Sequence, residues 1–120
     1  MGDRANVVLR EDDGRKVYLY THWGGYKLPS VLKRALDRGE RHSDSPYLAR
    51  IIFSEMVRGQ EDQATGFGIS AWMCDNGHPL LVVDSNAGTV HEASEDDLAT
   101  PTAGPWPMTA YPGVWADNGD

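Results

Sequence analysis

The order in which hydrophobic patterns follow one another along the chain limits its fold more than any other feature. Residues 6–11 and 16–22 are rich in β-forming side chains and flank a polar connection at 12–15, an arrangement typical of a β-hairpin. Apolar residues then recur at helical spacing, and three strand-like runs come after them: 67–74, 79–84 and 89–92. A turn signal at 75–78 predicts that the first two of these runs pair as a second hairpin. The order ββααββ, with 89–92 as a further edge strand, predicts an α+β fold, a mainly antiparallel sheet of about four to five strands with both helices on one face.

Two helices are expected between the hairpins. The first has Pro29 near its start, and Gly39 just after it is a plausible stop. Its apolar face consists of Leu28, Val31, Leu32, Ala35 and Leu36. The second has Ser45 as its N-cap and Pro46 at its first helical position. Its apolar stripe consists of Leu48, Ile51, Ile52 and Met56. Three charged residues fall outside this stripe and are expected to face water: Arg50, Glu55 and Arg58.

The composition changes near residue 93, where acidic residues, proline and glycine become frequent. Such a segment forms no long helix. The sequence therefore predicts one α+β domain at 1–92, followed by an irregular tail at 93–120. Three aromatic residues, Trp106, Tyr111 and Trp115, are widely spaced in this tail, and we expect them to hold it against the domain or against a partner subunit.

Charge is distributed unevenly along the chain. The net charge is −7, yet no lysine or arginine follows Arg58. An acidic second half disfavours direct nucleic-acid binding and favours a basic protein partner. The single cysteine, Cys74, and the absence of a long apolar run predict a cytoplasmic protein that does not enter a membrane.

The segment 18–26 is the best candidate for a binding site, because a strand pattern there runs into a glycine pair among aromatic residues. Strand alternation places Tyr18, Tyr20 and His22 on the sheet face away from the helices, and Trp72 joins them from the next strand. An exposed aromatic face usually marks an interface or a binding groove. The tail, a second subunit or a planar ligand would each cover it.

The predicted ligand-binding residues are Tyr18, Tyr20, His22, Trp23, Gly24, Gly25, Tyr26, Lys27 and Trp72. Their aromatic rings would stack and their imidazole would form hydrogen bonds. The glycine pair would offer backbone N–H groups to an anion beside Lys27, at a helix start. A plain turn is the alternative, since the spacing of a P-loop is missing.

Other chemistry has weaker support in the sequence. The spacing of the histidines fits no zinc motif, so neither a metal nor another cofactor is predicted. The acidic surroundings of Cys74 disfavour a thiolate nucleophile. Asp84 ends an apolar run, where it would either orient His22 or cap the following turn.

The segment Tyr20-Thr21-His22-Trp23-Gly24-Gly25-Tyr26 resembles a group of small uncharacterised phage and bacterial proteins. These carry a His-Trp-Asp-Gly or His-Trp-Gly-Gly motif between a strand and a helix. Gly24 stands where many of them have an acidic residue, so no role of that carboxylate applies here. The resemblance covers about residues 17–36, implies a phage or mobile-element context and transfers no catalytic residue.

Together these patterns favour a small, soluble, non-enzymatic binding protein that forms a homo-oligomer. Its partner would be a small anionic or nucleotide-like ligand or a basic protein. In the phage context that the resemblance implies, that protein would be a host defence protein and the role an anti-defence one. One alternative is a small hydrolase-type enzyme that uses His22 with Asp84 or Cys74. The other is a structural or assembly protein.

Overall fold

A computed structural model describes residues 2–116, which form one sheet with two helices packed on it. The strands are β1 (Ala5–Arg10), β2 (Lys16–Thr21), β3 (Phe67–Ser70), β4 (Leu80–Asp84), β5 (Thr89–Ala93) and β6 (Ala103–Pro107). The helices are α1 (Leu28–Leu36) and α2 (Ser45–Met56), and short 3₁₀ helices occur at Gly25–Lys27 and Met108–Ala110. The α+β class, the first hairpin and both helices agree with the sequence predictions. The N-cap of α2 is Asp44 instead of Ser45.

The sheet differs from its prediction in size and in pairing. Across the described residues it has six strands in the order β3-β2-β1-β4-β5-β6. Strands β1 and β4 are parallel, whereas the other neighbours are antiparallel. The predicted hairpin of β3 with β4 is wrong, because β2 and β1 lie between them. Strand β4 is buried on both faces and so needs a central place, while β3 is partly exposed and lies at the edge.

The larger core lies between the sheet and the helices. It includes the predicted apolar stripes of both helices and residues from β1, β2, β4 and β5. Met108, Tyr111 and Trp115 from the C-terminal segment are buried in the same core. The same segment contains β6, which pairs with β5. The prediction of an irregular tail is wrong at this strand. The last part of the predicted tail, 117–120, lies outside the described residues.

The opposite face of the sheet is covered by loops of the same chain. A smaller cluster there consists of Val8, Leu80, Val82 and Ala93. Tyr18 packs against it together with Met73, from the crossover between β3 and β4, and Leu98, from the loop after β5. The later part of the predicted tail, with Met108, Tyr111 and Trp115, packs on the helix side, whereas its first part, with Leu98, lies on this face. In the described part of the chain, neither helix has the length and apolar character needed to cross a membrane.

Candidate functional site

The turn after β2 is held by the N-terminal segment. Gly24 has φ +78°, in the left-handed region that favours glycine. Gly25 is buried, and a Cβ atom at this position would lie 2.7 Å from the carbonyl oxygen of Asp3. The Gly25 N–H donates to that oxygen (2.8 Å), and the Tyr26 N–H donates to Asp3 Oδ2 (2.8 Å). Lys27 N–H donates to the Gly24 carbonyl. The N–H groups of Gly25, Tyr26 and Lys27 are therefore used within the chain, and the glycine pair forms a turn, which was the alternative to an anion cradle.

The carboxylate of Asp3 takes the place that an external anion would have at this turn. Besides the Tyr26 N–H, it accepts a hydrogen bond from Nε2 of His78 at 2.6 Å. Burial alone would raise the pKa of Asp3, but the hydrogen bond from His78, the one from Tyr26 and the charge of His78 lower it below its ordinary value. Asp3 thus ties the N-terminus to the site segment and to the crossover.

Next to this turn, on the helix side of the sheet, lies an open cleft of about 450 Å³. Four of the predicted site residues line it: Trp23, Gly24, Tyr26 and Lys27. Charged residues of the helical region line it as well: Arg34 on α1, Glu55 on α2 and Arg58 just after α2. The cleft therefore combines aromatic surface with several cationic side chains.

The indole of Trp23 is exposed but is held in one orientation. The residue is 53% accessible. On one side it lies against the backbone of Gly66, where an added Cβ would come within 2.9 Å of the ring. His22 meets it edge to face, with ring centroids 4.6 Å apart. These contacts prearrange an aromatic surface at the mouth of the cleft.

Glu55 is the buried charge of this cleft, contrary to the prediction that it faces water. It is 3% exposed, and it accepts hydrogen bonds from Arg34 Nε at 2.9 Å and from Arg58 Nη2 at 2.6 Å. The hydrogen bond from Arg58 lowers the pKa of Glu55 most strongly, burial opposes it, and Arg34 lowers it further. A buried carboxylate needs such partners to stay ionised.

The other predicted site residues do not line the cleft. Tyr18 packs on the opposite face, where burial raises its pKa. The Tyr20 hydroxyl and Arg4 Nε hydrogen bond to Nδ1 of His22, at 2.9 and 3.3 Å. Trp72 follows β3, is 70% exposed and is not among the residues that line the cleft. The structure therefore brings together only part of the predicted set in the cleft, while Tyr18 lies on the other face and Gly25 is buried in the turn.

Of the residues in the alternative enzyme hypothesis, Asp84 lies far from His22, and Cys74 is a free, partly buried cysteine in the crossover between β3 and β4. Asp84 pairs in register with Arg10, whereas His22 follows the Thr21 that pairs with Ala5, so about 16 Å of strand separates them. Asp84 Oδ1 instead accepts hydrogen bonds from the backbone of the following turn, which confirms the capping alternative. Within residues 2–116, no three or more His, Cys, Asp or Glu side chains are grouped to hold a metal ion.

Comparison with known proteins does not assign the chain to a family. No protein-family model, curated protein or solved structure matches the chain. The resemblance of 20–26 to small phage and bacterial proteins therefore stays a prediction.

Sequence reasoning missed the cationic half of the cleft. The spacing of Glu55 and Arg58, three residues apart, was a usable signal, because such pairs meet on a helix. Arg34 gave no such signal, since it reaches Glu55 from α1 across 21 residues of sequence. The cleft is formed only when the two helices pack together.

Proposed function

We propose that this chain is a non-enzymatic binding protein and that the cleft at Trp23 takes a nucleotide-like anion. The observation that carries the proposal is the placement of exposed Trp23 and Tyr26 in the same cleft as Lys27, Arg34 and Arg58. An aromatic ring system with an attached anionic group would use both features at once.

The charge of the cleft supports an anionic ligand. Lys27, Arg34 and Arg58 oppose a single carboxylate, that of Glu55, so the lining is cationic. The whole chain carries a net charge of −7. A local excess of cations on an acidic protein attracts anions to that place and repels them elsewhere.

The aromatic surface supports a planar ligand. Tyr26 is 69% exposed and Trp23 more than half exposed. Large aromatic side chains left in water commonly mark places where another molecule binds. The orientation of Trp23 is already fixed by Gly66 and His22, which reduces the entropy lost on stacking.

The proposal is tested by titrating the purified chain with AMP, GMP, CMP and UMP and following tryptophan fluorescence and the melting temperature. We expect at least one nucleotide to quench the fluorescence and to raise the melting temperature, as a ligand of the folded state does. Trp23→Phe should remove most of the quenching. Trp72→Phe is the matched control, because Trp72 is similarly exposed but lies outside the cleft lining.

Two results would count against this function. One is a wild-type chain whose fluorescence and melting temperature respond to none of the four nucleotides. The other is quenching that survives in Trp23→Phe and disappears in Trp72→Phe. The homo-oligomeric state, the phage context and a basic protein partner stay predictions made from the sequence.

A further inference from the structure

We infer that Arg34 and Arg58 form a phosphate subsite within the cleft and that buried Glu55 is the residue that positions them. The inference rests on the proposed function and adds to it the chemical group that the cleft selects. Glu55 is a buried negative charge in a cleft that binds an anion. The inference gives this carboxylate a role, which is to position the two arginines.

Glu55 accepts hydrogen bonds from two arginines that come from different parts of the chain. A third, Arg38, lies 3.9 Å from Glu55 Oε2 through Nη1 but is paired at 3.0 Å with its own carboxylate, Glu40. Arg34 lies on α1 and donates to Oε1 through Nε, at 2.9 Å. Arg58 follows α2 and donates through Nε at 3.2 Å and through Nη2 at 2.6 Å. Among the hydrogen bonds of the described residues, Arg34 uses Nε alone and Arg58 does not use Nη1, so terminal N–H groups of both stay available to a second acceptor.

Glu55 is buried, whereas the two arginines that contact it are largely exposed. The Glu55 side chain is 2% exposed, whereas those of Arg34 and Arg58 are 53% and 65% exposed. Burying a carboxylate is costly, and ion pairs with exposed partners contribute little stability. The arrangement does, however, fix two flexible guanidinium groups from beneath while their outer sides remain in water.

Two guanidinium groups next to each other suit a phosphate. Each presents planar N–H donors that match phosphate oxygens, and a dianion relieves the repulsion between the two cations. One carboxylate neutralises only one of the two charges, which leaves the pair cationic. With Trp23 and Tyr26 in the same cleft, the ligand class is a nucleoside phosphate in preference to a nucleoside.

The test compares AMP, adenosine and inorganic pyrophosphate by isothermal titration calorimetry. We expect AMP to bind at least about tenfold more tightly than adenosine, because charge-assisted hydrogen bonds to phosphate are strong. Glu55→Gln should weaken AMP binding by about tenfold and leave adenosine within about twofold. The direction of the change in AMP affinity is decisive. If Glu55 did not position the arginines, removing its negative charge would strengthen the binding of an anion.

Matched variants separate positioning from charge and from stability. Arg50 lies on α2, as Glu55 does, but it does not line the cleft. Arg50→Gln therefore removes a cation outside the cleft and should leave AMP affinity nearly unchanged. Arg58→Lys keeps the charge but loses the planar fork, and it should weaken AMP binding about as much as Glu55→Gln. Arg58→Lys also carries the test if Glu55→Gln does not fold, which circular dichroism will show.

The outcomes separate this inference from the proposed function. Equal affinity for AMP and adenosine, or AMP binding that Glu55→Gln strengthens or leaves unchanged, overturns the subsite while nucleotide binding stands. Pyrophosphate binding that Glu55→Gln and Arg58→Lys both weaken, without any binding of AMP or adenosine, supports the subsite and overturns the proposed function. No binding of any of the three compounds overturns both.

Discussion

The indole of Trp115 is stacked on the imidazole of His78, with ring centroids 4.9 Å apart and an angle of 4° between the planes. Trp115 Nε1 also donates a hydrogen bond to the carbonyl oxygen of Gly25 at 3.1 Å. The C-terminal segment therefore reaches both the crossover and the turn next to the cleft. Its packing positions the site as well as closing the core.

Replacing Trp115 tests this coupling. Trp115→Ala should lower the free energy of unfolding by about 3–5 kcal/mol, because a large buried ring leaves a cavity. Trp115→Phe should lower it by about 1–2 kcal/mol, since the Gly25 carbonyl loses its donor. The measurement is urea unfolding, with the exposed neighbour Val114→Ala as control. If Trp115→Ala cost no more than Val114→Ala, the segment would not contribute to the core.

Gly25→Ala tests the close packing beneath the turn. The added Cβ would lie 2.7 Å from the Asp3 carbonyl oxygen and 2.9 Å from Cδ2 of His78, so we expect a loss of about 1–3 kcal/mol in unfolding free energy. Gly68→Ala is the matched control, because its Cβ would meet only Tyr20 at 3.9 Å. That variant should be neutral or more stable by about 0.4–1 kcal/mol, as alanine restricts the unfolded chain. Equal effects of the two substitutions would contradict the proposed clash.

Local signals explain which parts of the fold were predictable. The end of α1 before Gly39, the start of α2 near Pro46 and the hairpin of β1 with β2 were predictable. Each of these features depends on residues that are close in sequence. The pairing of β4 with β1 depends instead on which strands are buried on both faces, and that is decided only when the whole sheet assembles. A turn-like segment at 75–78 consequently predicted a hairpin where the chain crosses over two strands.

The same distinction applies to the site. Trp23, Tyr26 and Lys27 are neighbours in sequence, and all three line one cleft. Asp3, in contrast, accepts hydrogen bonds at the turn of the glycine pair from the Tyr26 N–H and from His78. Asp3 and His78 lie 75 residues apart in the sequence. Contacts of that kind leave no periodic trace in one sequence, so their location could not be predicted.

The pH dependence of stability provides a test of the Glu55 ion pairs. The folded state lowers the pKa of Glu55, so its contribution is fully present above the unfolded value of about 4.3 and is lost as the pH falls through the folded value. Wild type should therefore exceed Glu55→Gln in unfolding free energy at about pH 7, and the difference should shrink below about pH 4. Asp62→Asn, an exposed carboxylate, is the control and should change little. A difference that stayed constant across this range would show that the charge of Glu55 does not matter.

Tyr111→Phe should stabilise the protein. The Tyr111 ring is 2% exposed, and its hydroxyl has no hydrogen-bond partner among residues 2–116. Burial, and secondarily the charge of Glu92, raise the pKa of Tyr111, so the hydroxyl is held neutral. Removing an unsatisfied buried hydroxyl while keeping the ring should raise the unfolding free energy by about 1 kcal/mol.

Tyr47→Phe controls for the chemistry of that substitution, because Tyr47 is exposed and its hydroxyl stays hydrated in both states. Urea unfolding of the two variants against wild type gives the comparison. A loss of stability in Tyr111→Phe, with Tyr47→Phe unchanged, would mean that the Tyr111 hydroxyl forms a stabilising hydrogen bond in solution. The gain is expected only for the buried tyrosine, since the cost of an unpaired polar group arises from its removal from water.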